Sequence, residues 1–506
     1  MNVYDERTTS CWMDISPKAD AVPLAGDAEC DVVIIGAGIA GLSNAYELAR
    51  FGRDVIIIDR GGIGTGMTAR TTAHLASELD DRYYELIRVR GEDEARLYHH
   101  SQVAAINRIE AICRDEGIDA DFARIDGYLF AAEDKDLADL EREYDACRKL
   151  GVDVEWVERA PVPGVDTGKA LRFPDQGRFH PTKYLAGLAS AIARSGGRFY
   201  CDTAHVSDKE TADGVEITTD RGSVVRARAA LFATNSPTNN KVTIHTKQRP
   251  DRTYVIAGRV PKGSVPDVLA WDSCDAYHYV RIQPLSDTED LLIVGGEDHR
   301  SGEANDMDER LARLDRWTRE HYPSFSSAHF RWSGQVLETV DFMPFSGRNP
   351  GNENVYIHTG DSGQGITNAV AGSLTILPLI IGDDSRYADL FDPSRKSLSS
   401  VKEFARGQAG AVKNLAEYIM PGEIRSADDL EAGEGALLRE GLSKVAVYKA
   451  ADGTVIRRSA VCTHMGCLVH WNSFEQCWDC PCHGSQFAPG GEVLNGPAVS
   501  ALGEAK

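Results

Sequence analysis

Two short stretches near the C-terminus restrict the fold of this 506-residue chain more than any other feature. One reads Cys462-Thr463-His464, and the other reads Cys480-Pro481-Cys482-His483. Each offers a thiolate and an imidazole, so together they supply two sulfur and two nitrogen donors to a metal centre. That donor set suits an iron–sulfur cluster with imidazoles on one iron, or a tetrahedral zinc ion. Common zinc fingers pair Cys with Cys and His with His, whereas each stretch here carries one of each, which favours the cluster.

The block resembles Rieske domains, in which two His replace two Cys on one iron of a [2Fe–2S] cluster. The resemblance implies four metal ligands: Cys462, His464, Cys480 and His483. It also implies a disulfide between Cys467 and Cys482, as in the cytochrome bc branch, and a covering third loop at Gly496-Pro497-Ala498. That branch often has Tyr at the position of Phe487, where it donates a hydrogen bond to a cluster sulfur. The absence of this tyrosine, and of its hydrogen bond, is expected to lower the reduction potential of the cluster.

Length and composition predict a globular protein of about three domains. Hydrophobic residues make up 42% of the chain and charged residues 26%, and no apolar run reaches the roughly 20 residues that span a bilayer. The segment Met1–Asp20 has no apolar signal region, which leads us to expect a cytoplasmic protein. A net charge of −22 argues against nucleic acid or anionic lipid as a partner, and favours solubility or docking to a basic redox protein.

A dinucleotide-binding fingerprint follows the irregular first residues. An apolar β-branched run, Asp31–Ile35, leads into Gly36-Ala37-Gly38-Ile39-Ala40-Gly41, a helical pattern, a second apolar run and Asp59. The glycines permit a tight turn, close approach of a pyrophosphate and helix–strand packing, and the acid accepts from a ribose hydroxyl. Either NAD or FAD fits this unit. The predicted contacts are Gly36, Gly38, Ile39, Ala40, Gly41, Asp59 and Arg60.

Three further stretches resemble the D-amino-acid-oxidase-like family of FAD enzymes, which includes glycine and sarcosine oxidases. They are the Gly- and Thr-rich loop Gly61–Leu75, the strand Ala230–Asn235, and Gly360–Asn368 before a long apolar helix. The dipole of that helix would stabilise negative charge on a reduced flavin. The resemblance implies FAD, with contacts at Arg70, Thr71, Thr72, Ala73, Val206, Ala233, Thr234, Gly360, Asp361, Gly363, Gln364, Gly365, Ile366 and Thr367.

Candidate catalytic residues come from the same resemblance. His74 falls where the family places residues beside the flavin ring, although it could equally be a solvent-facing histidine. Alternation along Ala276–Arg281 puts Tyr277, Tyr279 and Arg281 on one face and His278 on the other. We expect Tyr279 to face the substrate, with His278 and Arg281 behind it, or all of them to be ordinary sheet residues.

One departure from the family concerns the substrate. Glycine oxidases carry an Arg two residues past the Gly of Arg331–Gln335, where it pairs with an amino-acid carboxylate. This chain has Val336 there. A buried carboxylate without a partner is costly, so a simple α-amino acid is disfavoured as the substrate.

The predicted fold is an α/β FAD-binding domain (Rossmann-like, glutathione-reductase type) with an interleaved α+β substrate domain, and a small all-β Rieske domain. The expected parts are an N-terminal extension (1–29), an oxidoreductase domain (30–395), a helical linker (396–424) and the Rieske domain (425–506). The substrate part is expected at about 80–165 and 240–330, within the oxidoreductase domain.

The combination predicts an FAD-dependent dehydrogenase that oxidises a C–N bond of an amine or amino-acid derivative. Electrons would pass from the flavin to the cluster, and then to an external one-electron carrier through an exposed His464/His483 edge. Two alternatives remain open. An external donor could feed the cluster so that the flavin reduces or oxygenates a substrate, or the protein could be a non-catalytic redox relay or sensor.

Overall fold

A computed structural model describes residues 3–15, 17, 21–239, 244–274, 276–396 and 417–505. Most of the predicted linker 396–424 therefore lies outside the described residues. Within them, no helix is both long and apolar enough to cross a membrane.

The chain forms twenty-four strands and eight α-helices among these residues. The strands are β1 (Ala28–Ile35), β2 (Val55–Ile58), β3 (His74–Leu75), β4 (Ala123–Phe130), β5 (Glu155–Val157), β6 (Ala170–Arg178), β7 (Arg198–Tyr200), β8 (His205–Thr211), β9 (Gly214–Thr219), β10 (Val224–Phe232), β11 (Gln248–Pro261), β12 (Leu269–Asp272), β13 (Tyr279–Pro284), β14 (Glu289–Arg300), β15 (Phe330–Thr339), β16 (Phe345–Arg348), β17 (Val355–Thr359), β18 (Gly435–Glu440), β19 (Ser443–Lys449), β20 (Val455–Ser459), β21 (His470–Asn472), β22 (Cys477–Asp479), β23 (Gln486–Phe487) and β24 (Val493–Asn495). The helices are α1 (Ile39–Arg50), α2 (Tyr83–Arg90), α3 (Glu92–Glu116), α4 (Leu137–Leu150), α5 (Pro181–Arg194), α6 (Met307–His321), α7 (Gly365–Ile381) and α8 (Ala388–Phe391).

The first sheet is the dinucleotide-binding sheet, ordered β16-β17-β10-β1-β2-β7 with the hairpin β8–β9 beside β10. Strand β1 is parallel to β2 and β10, and β10 is parallel to β17. These strands are continuous apolar runs because both of their faces are covered. Helix α1 packs against α5 and α7, so the starts of α1 and α7 lie near the same edge of the sheet.

The second sheet belongs to the substrate part and has the order β15-β11-β14-β13-β12-β4-β6-β3, with β5 beside β6. Helix α6 packs against β11 and β14. The first section of the expected substrate part contains the helices α2, α3 and α4 and the strands β4 and β5.

The C-terminal part is all β, as predicted. It contains an antiparallel sheet of β18-β19-β20 and a second one of β21-β22-β23-β24. Trp471 and Trp478 pack edge to face at a centroid distance of 4.9 Å, in the core of this part. The loops that carry the four expected ligands lie between β20 and β21 and between β22 and β23.

Candidate functional site

The turn from β1 to α1 has the geometry of the predicted dinucleotide site. A Cβ atom on Gly36, where φ is +108°, would lie 2.3 Å from the carbonyl oxygen of Ala233, and one on Gly41 would lie 1.8 Å from that of Gly36. Both positions therefore require glycine. The Asp59 carboxylate accepts the N–H of Ala37 at 2.7 Å and that of Gly61 at 2.8 Å. Burial raises the pKa of Asp59, and these two N–H groups oppose the rise.

A cavity extends from Asp59 past Gly38 to the start of α7. The N-termini of α1 and α7 both line it, which fits a dinucleotide with a second ring system such as FAD. The lining includes most of the predicted contacts: Gly36, Gly38, Ile39, Ala40, Asp59, Arg60, Arg70, Thr71, Thr72, His74, Ala233, Thr234, Tyr279, Asp361, Gly363, Gln364, Gly365, Ile366 and Thr367.

Four predicted contacts lie outside this lining. Gly41 packs beneath the turn from β1 to α1, and Ala73, which directly precedes β3, is fully buried. Gly360 faces Thr339, whose Cγ2 would be 2.4 Å from an added Cβ. Val206 lies at a β-bulge between β8 and β9, where its side chain points outward and 42% of the residue is exposed. Its neighbours Thr203 and His205 line the cavity instead.

The far end of the cavity carries two of the candidate catalytic residues. The Tyr279 hydroxyl lies 2.6 Å from Thr253 Oγ1, and its ring meets that of His74 edge to face at 5.6 Å between centroids. His74 Nδ1 lies 3.1 Å from Thr72 Oγ1 and Nε2 lies 3.3 Å from the carbonyl oxygen of Val280. Burial lowers the pKa of His74 to about 3, so its imidazole is neutral.

The other two candidates do not line the cavity. His278 lies behind the sheet, where Nδ1 is 2.8 Å from an Asp272 oxygen and the ring stacks on Trp317 at 4.3 Å. Arg281 is buried, and its guanidinium donates to the carbonyl oxygens of Ala73 at 2.7 Å and Phe179 at 3.0 Å. Burial lowers the pKa of Arg281 to about 9. Arg281 thus holds in place the loop that carries His74.

Acidic side chains at this end were not predicted. Glu78, Asp80, Asp298 and Asp361 all line the cavity. The Tyr277 hydroxyl donates to Asp80 Oδ2 at 3.1 Å. Burial raises the pKa of Asp80, raises that of Glu78 more strongly, and raises that of Asp298 to about 7. A cationic ligand beside Asp80 and Asp298 would favour their ionised forms, whereas Glu78 already pairs with Arg82 at 3.1 Å.

The four predicted cluster ligands come together in the C-terminal part. The thiols of Cys462 and Cys480 are hydrogen-bonded to each other, and the rings of His464 and His483 lie 5.0 Å apart. The Ser485 hydroxyl also hydrogen-bonds to Cys462. Two thiols and two imidazoles that converge in this way fit a [2Fe–2S] cluster of the Rieske type.

The expected disulfide is present between Cys467 and Cys482, with an S–S distance of 2.05 Å. It joins the two ligand loops directly. The sulfur of Cys480 lies within 4.8 Å of both disulfide sulfurs, so the disulfide shields one side of the expected cluster.

The expected exposed histidine edge is only partly exposed, since His464 and His483 are both half-buried. The buried ring of His245, in a short 3-10 helix (His245–Lys247), lies 4.7 Å from the ring of His464 and 5.3 Å from that of His483. Both ring nitrogens of His464 are shielded from solvent. The edge is less exposed than expected because His245 of the oxidoreductase domain packs against it, a contact over more than 200 positions that no local pattern indicates.

Two buried ionic clusters join the domains, and neither was predicted. Arg252 on β11 donates to both carboxylate oxygens of Asp479 on β22, at 2.8 and 3.0 Å. The guanidinium of Arg70, a predicted cofactor contact, pairs with Glu475 at 3.1 Å and with Glu6 at 3.0 Å. All of these side chains are at least 97% buried.

The family model for FAD dependent oxidoreductases (DAO) matches residues 31–376, and the Rieske [2Fe-2S] domain model matches residues 421–506. A Bacillus subtilis (strain 168) protein described as the Rieske 2Fe-2S iron-sulfur protein YhfW is 31% identical over 504 residues, covering 98% of this chain and 97% of that protein. Gamma-glutamylputrescine oxidoreductase from Escherichia coli (strain K12) is 28% identical over 71% of this chain and 85% of that protein.

Among solved structures, glycine oxidase from Geobacillus kaustophilus is similar in fold, with a TM-score of 0.62 over 73% of this chain and 99% of that chain at 19% identity. The match confirms the predicted arrangement of FAD-binding and substrate parts. The chain therefore belongs to the family of FAD-dependent oxidoreductases, and it carries a C-terminal Rieske domain, so that FAD and a [2Fe–2S] cluster are its cofactors.

Proposed function

We propose that this enzyme is a dehydrogenase that oxidises a C–N bond of a cationic amine and delivers the electrons through its cluster to an external one-electron carrier. The observation that carries the proposal is the shared cavity: Leu494, Asn495 and Gly496 of the Rieske domain help to line the space expected to hold FAD. A cofactor in that space would touch both domains.

The arrangement of charged side chains in the cavity supports an amine, rather than an α-amino acid, as the substrate. Val336 lines the cavity at the position where glycine oxidases hold a carboxylate with an Arg. The two arginines of the lining are engaged elsewhere, since Arg60 lies beside Asp59 and the guanidinium of Arg70 pairs with Glu6 and Glu475. An amine without an α-carboxylate would therefore be the better fit. The E. coli relative is named for a putrescine derivative, which agrees with an amine substrate.

The acidic residues at this end of the cavity would bind the ammonium group of the substrate. Among the residues that the structure describes, Asp298 Oδ1 is shielded from solvent and has no hydrogen-bond partner. A buried acceptor of this kind is costly unless a ligand satisfies it, and an ammonium group would do so. Tyr277, which donates to Asp80, and Tyr279 would flank the same ligand with their rings.

Bound FAD supplies a hydride acceptor for the amine α-carbon, and the cluster supplies one-electron exchange. The chain's part is to orient the amine, exclude water and keep His74 neutral beside it. A fused one-electron centre is unnecessary for an enzyme that gives its electrons to oxygen directly, which favours a carrier protein as the acceptor.

Anaerobic mixing of the holoenzyme with a panel of amines and amino acids tests the proposal. We expect loss of flavin absorbance with a cationic amine, followed by the EPR signal of the reduced cluster. If no amine reduces the flavin, but a ferredoxin-like donor reduces the cluster and then the flavin, electrons pass from the cluster to the flavin and the proposed direction is wrong. If replacing His74 and Tyr279 leaves every turnover unchanged, the protein is a relay or sensor.

A further inference from the structure

The side chain of Gln335 lies where the cofactor cavity meets the Rieske domain. It sits on β15, is 6% exposed, and lines the cavity together with its neighbours Gly334 and Val336. Gln335 is part of the oxidoreductase domain, but its side-chain amide contacts the Rieske domain.

The side-chain amide of Gln335 forms hydrogen bonds with three residues. Gln335 Nε2 donates to the carbonyl oxygen of Gly484 at 2.8 Å, and Oε1 accepts from Asn495 Nδ2 at 2.9 Å and from Asn235 Nδ2 at 3.1 Å. Because the Gly484 carbonyl can only accept, the orientation of the amide is fixed. Two of its three partners are in the Rieske domain.

Gly484 directly follows the expected ligand His483, so its carbonyl group is close to the cluster along the backbone. The approach of Gln335 depends on glycine at this position. With φ at +81°, a Cβ atom on Gly484 would lie 2.7 Å from Gln335 Nε2. A single hydrogen bond thus links a side chain of the cofactor cavity to the peptide next to a cluster ligand.

The other strong contacts between the domains differ in this respect. Arg252, which pairs with Asp479, does not line the cavity, and Glu475, the partner of Arg70, lies in a turn away from both ligand loops. Asp479 directly precedes the expected ligand Cys480, but its partner Arg252 does not reach the cavity, so neither pair places a single hydrogen bond between a cavity-lining side chain and a ligand loop. Electron tunnelling decays more slowly along covalent and hydrogen bonds than across gaps, so the Gln335 contact is the favoured route.

We propose that Gln335 is the coupling residue between the two redox sites, and that electrons cross from FAD to the cluster through its hydrogen bond to Gly484. Each transfer removes one electron from the reduced flavin and converts one ferric ion of the cluster to ferrous, with no bond made or broken. This inference rests on the proposed exchange between flavin and cluster, and does not depend on the identity of the amine.

The test uses the holoenzyme, with the flavin reduced anaerobically by light so that no substrate is needed. In Gln335→Leu, which keeps a similar volume without hydrogen bonds, we expect cluster reduction to slow by an order of magnitude or more. Ser333→Ala is the matched control. Ser333 is on the same strand and donates to Glu475 of the Rieske domain at 2.6 Å, yet it does not line the cavity. We expect this variant to keep the parental rate.

Two further measurements separate coupling from structure. The EPR spectrum of the dithionite-reduced cluster and the thermal unfolding temperature should be the same in Gln335→Leu as in the parent. If the leucine variant loses a cofactor, Gln335→Met, which is unbranched and of similar length, is measured in its place. A parental rate in the Gln335 variants, or equal slowing in Ser333→Ala, overturns the inference. Absence of cluster reduction in the parent protein instead overturns the proposed function.

Discussion

Replacing Arg252 with methionine tests how firmly the two cofactor domains are joined. Methionine keeps much of the volume but removes the cation, so the Asp479 carboxylate would be left at an interface where its side chain is 3% exposed. Arg252 also donates to Ser333 Oγ at 2.7 Å, and that contact would be lost as well.

The size of the effect follows from what remains around Asp479. Removing one partner of a buried ion pair costs about 3–5 kcal/mol, because the other charge stays buried without compensation. Asp479 would retain N–H donors from Asn472 at 2.9 Å and from Gln486 at 3.1 Å. We therefore expect the low end of the range, about 3 kcal/mol, which shifts the equilibrium between joined and separated domains roughly a hundredfold.

The assay is urea unfolding of the holoenzyme, followed by the visible circular dichroism of the cluster and by flavin fluorescence. We expect the cluster signal to be lost at lower urea in Arg252→Met than in the parent. The double variant Arg252→Met/Asp479→Leu, in which both charges are gone, should recover most of the loss. A cost below about 1 kcal/mol, as for an exposed pair, would refute the reasoning.

Four other outcomes are expected. The apparent affinity for an amine should strengthen as pH rises through about 7, because burial raises the pKa of Asp298 to about 7 and only the ionised carboxylate attracts an ammonium group. The variant Asp298→Asn should bind the amine more weakly and lose this pH dependence, which is measured as KM against pH. Val336→Arg should shift flavin reduction from amines toward α-amino acids in the anaerobic panel, since it restores a partner for a carboxylate. Gly36→Ala should abolish FAD binding, measured by fluorescence titration, because its Cβ would lie 2.3 Å from the Ala233 carbonyl oxygen. Phe487→Tyr, at a fully buried position, should raise the cluster potential in a redox titration by roughly 40 mV if its hydroxyl reaches a sulfur, the equivalent of about 1 kcal/mol for one electron.

Local patterns predicted the parts of the site that are built from one stretch of chain. The turn at Gly36 and the start of α7 each depend on a few adjacent residues whose backbone geometry dictates their type. Alternation along Ala276–Arg281 separated Tyr279, which lines the cavity, from His278, which does not. It could not show that Arg281, on the same face as Tyr279, turns away to hold a neighbouring loop.

The parts that were missed depend on residues far apart in the chain. Asp80 and Asp298 approach the cavity from opposite ends of the substrate part, and each looks like an ordinary surface acid in its own stretch. The same applies to Arg252 and Asp479, which are 227 positions apart.

The segment at the other end of the chain takes part in the same junction. Thr8 donates its hydroxyl to Glu475, 467 positions away, and Glu6 accepts from Gln486. Contacts over such distances in sequence are slow to form and give no stability until both ends are present. Until the Rieske half has been synthesised and docks, Arg70 lacks its partner Glu475 and Arg252 lacks its partner Asp479. Cutting the gene between the halves would yield two fragments that each expose one side of this ionic junction, rather than two independent redox modules.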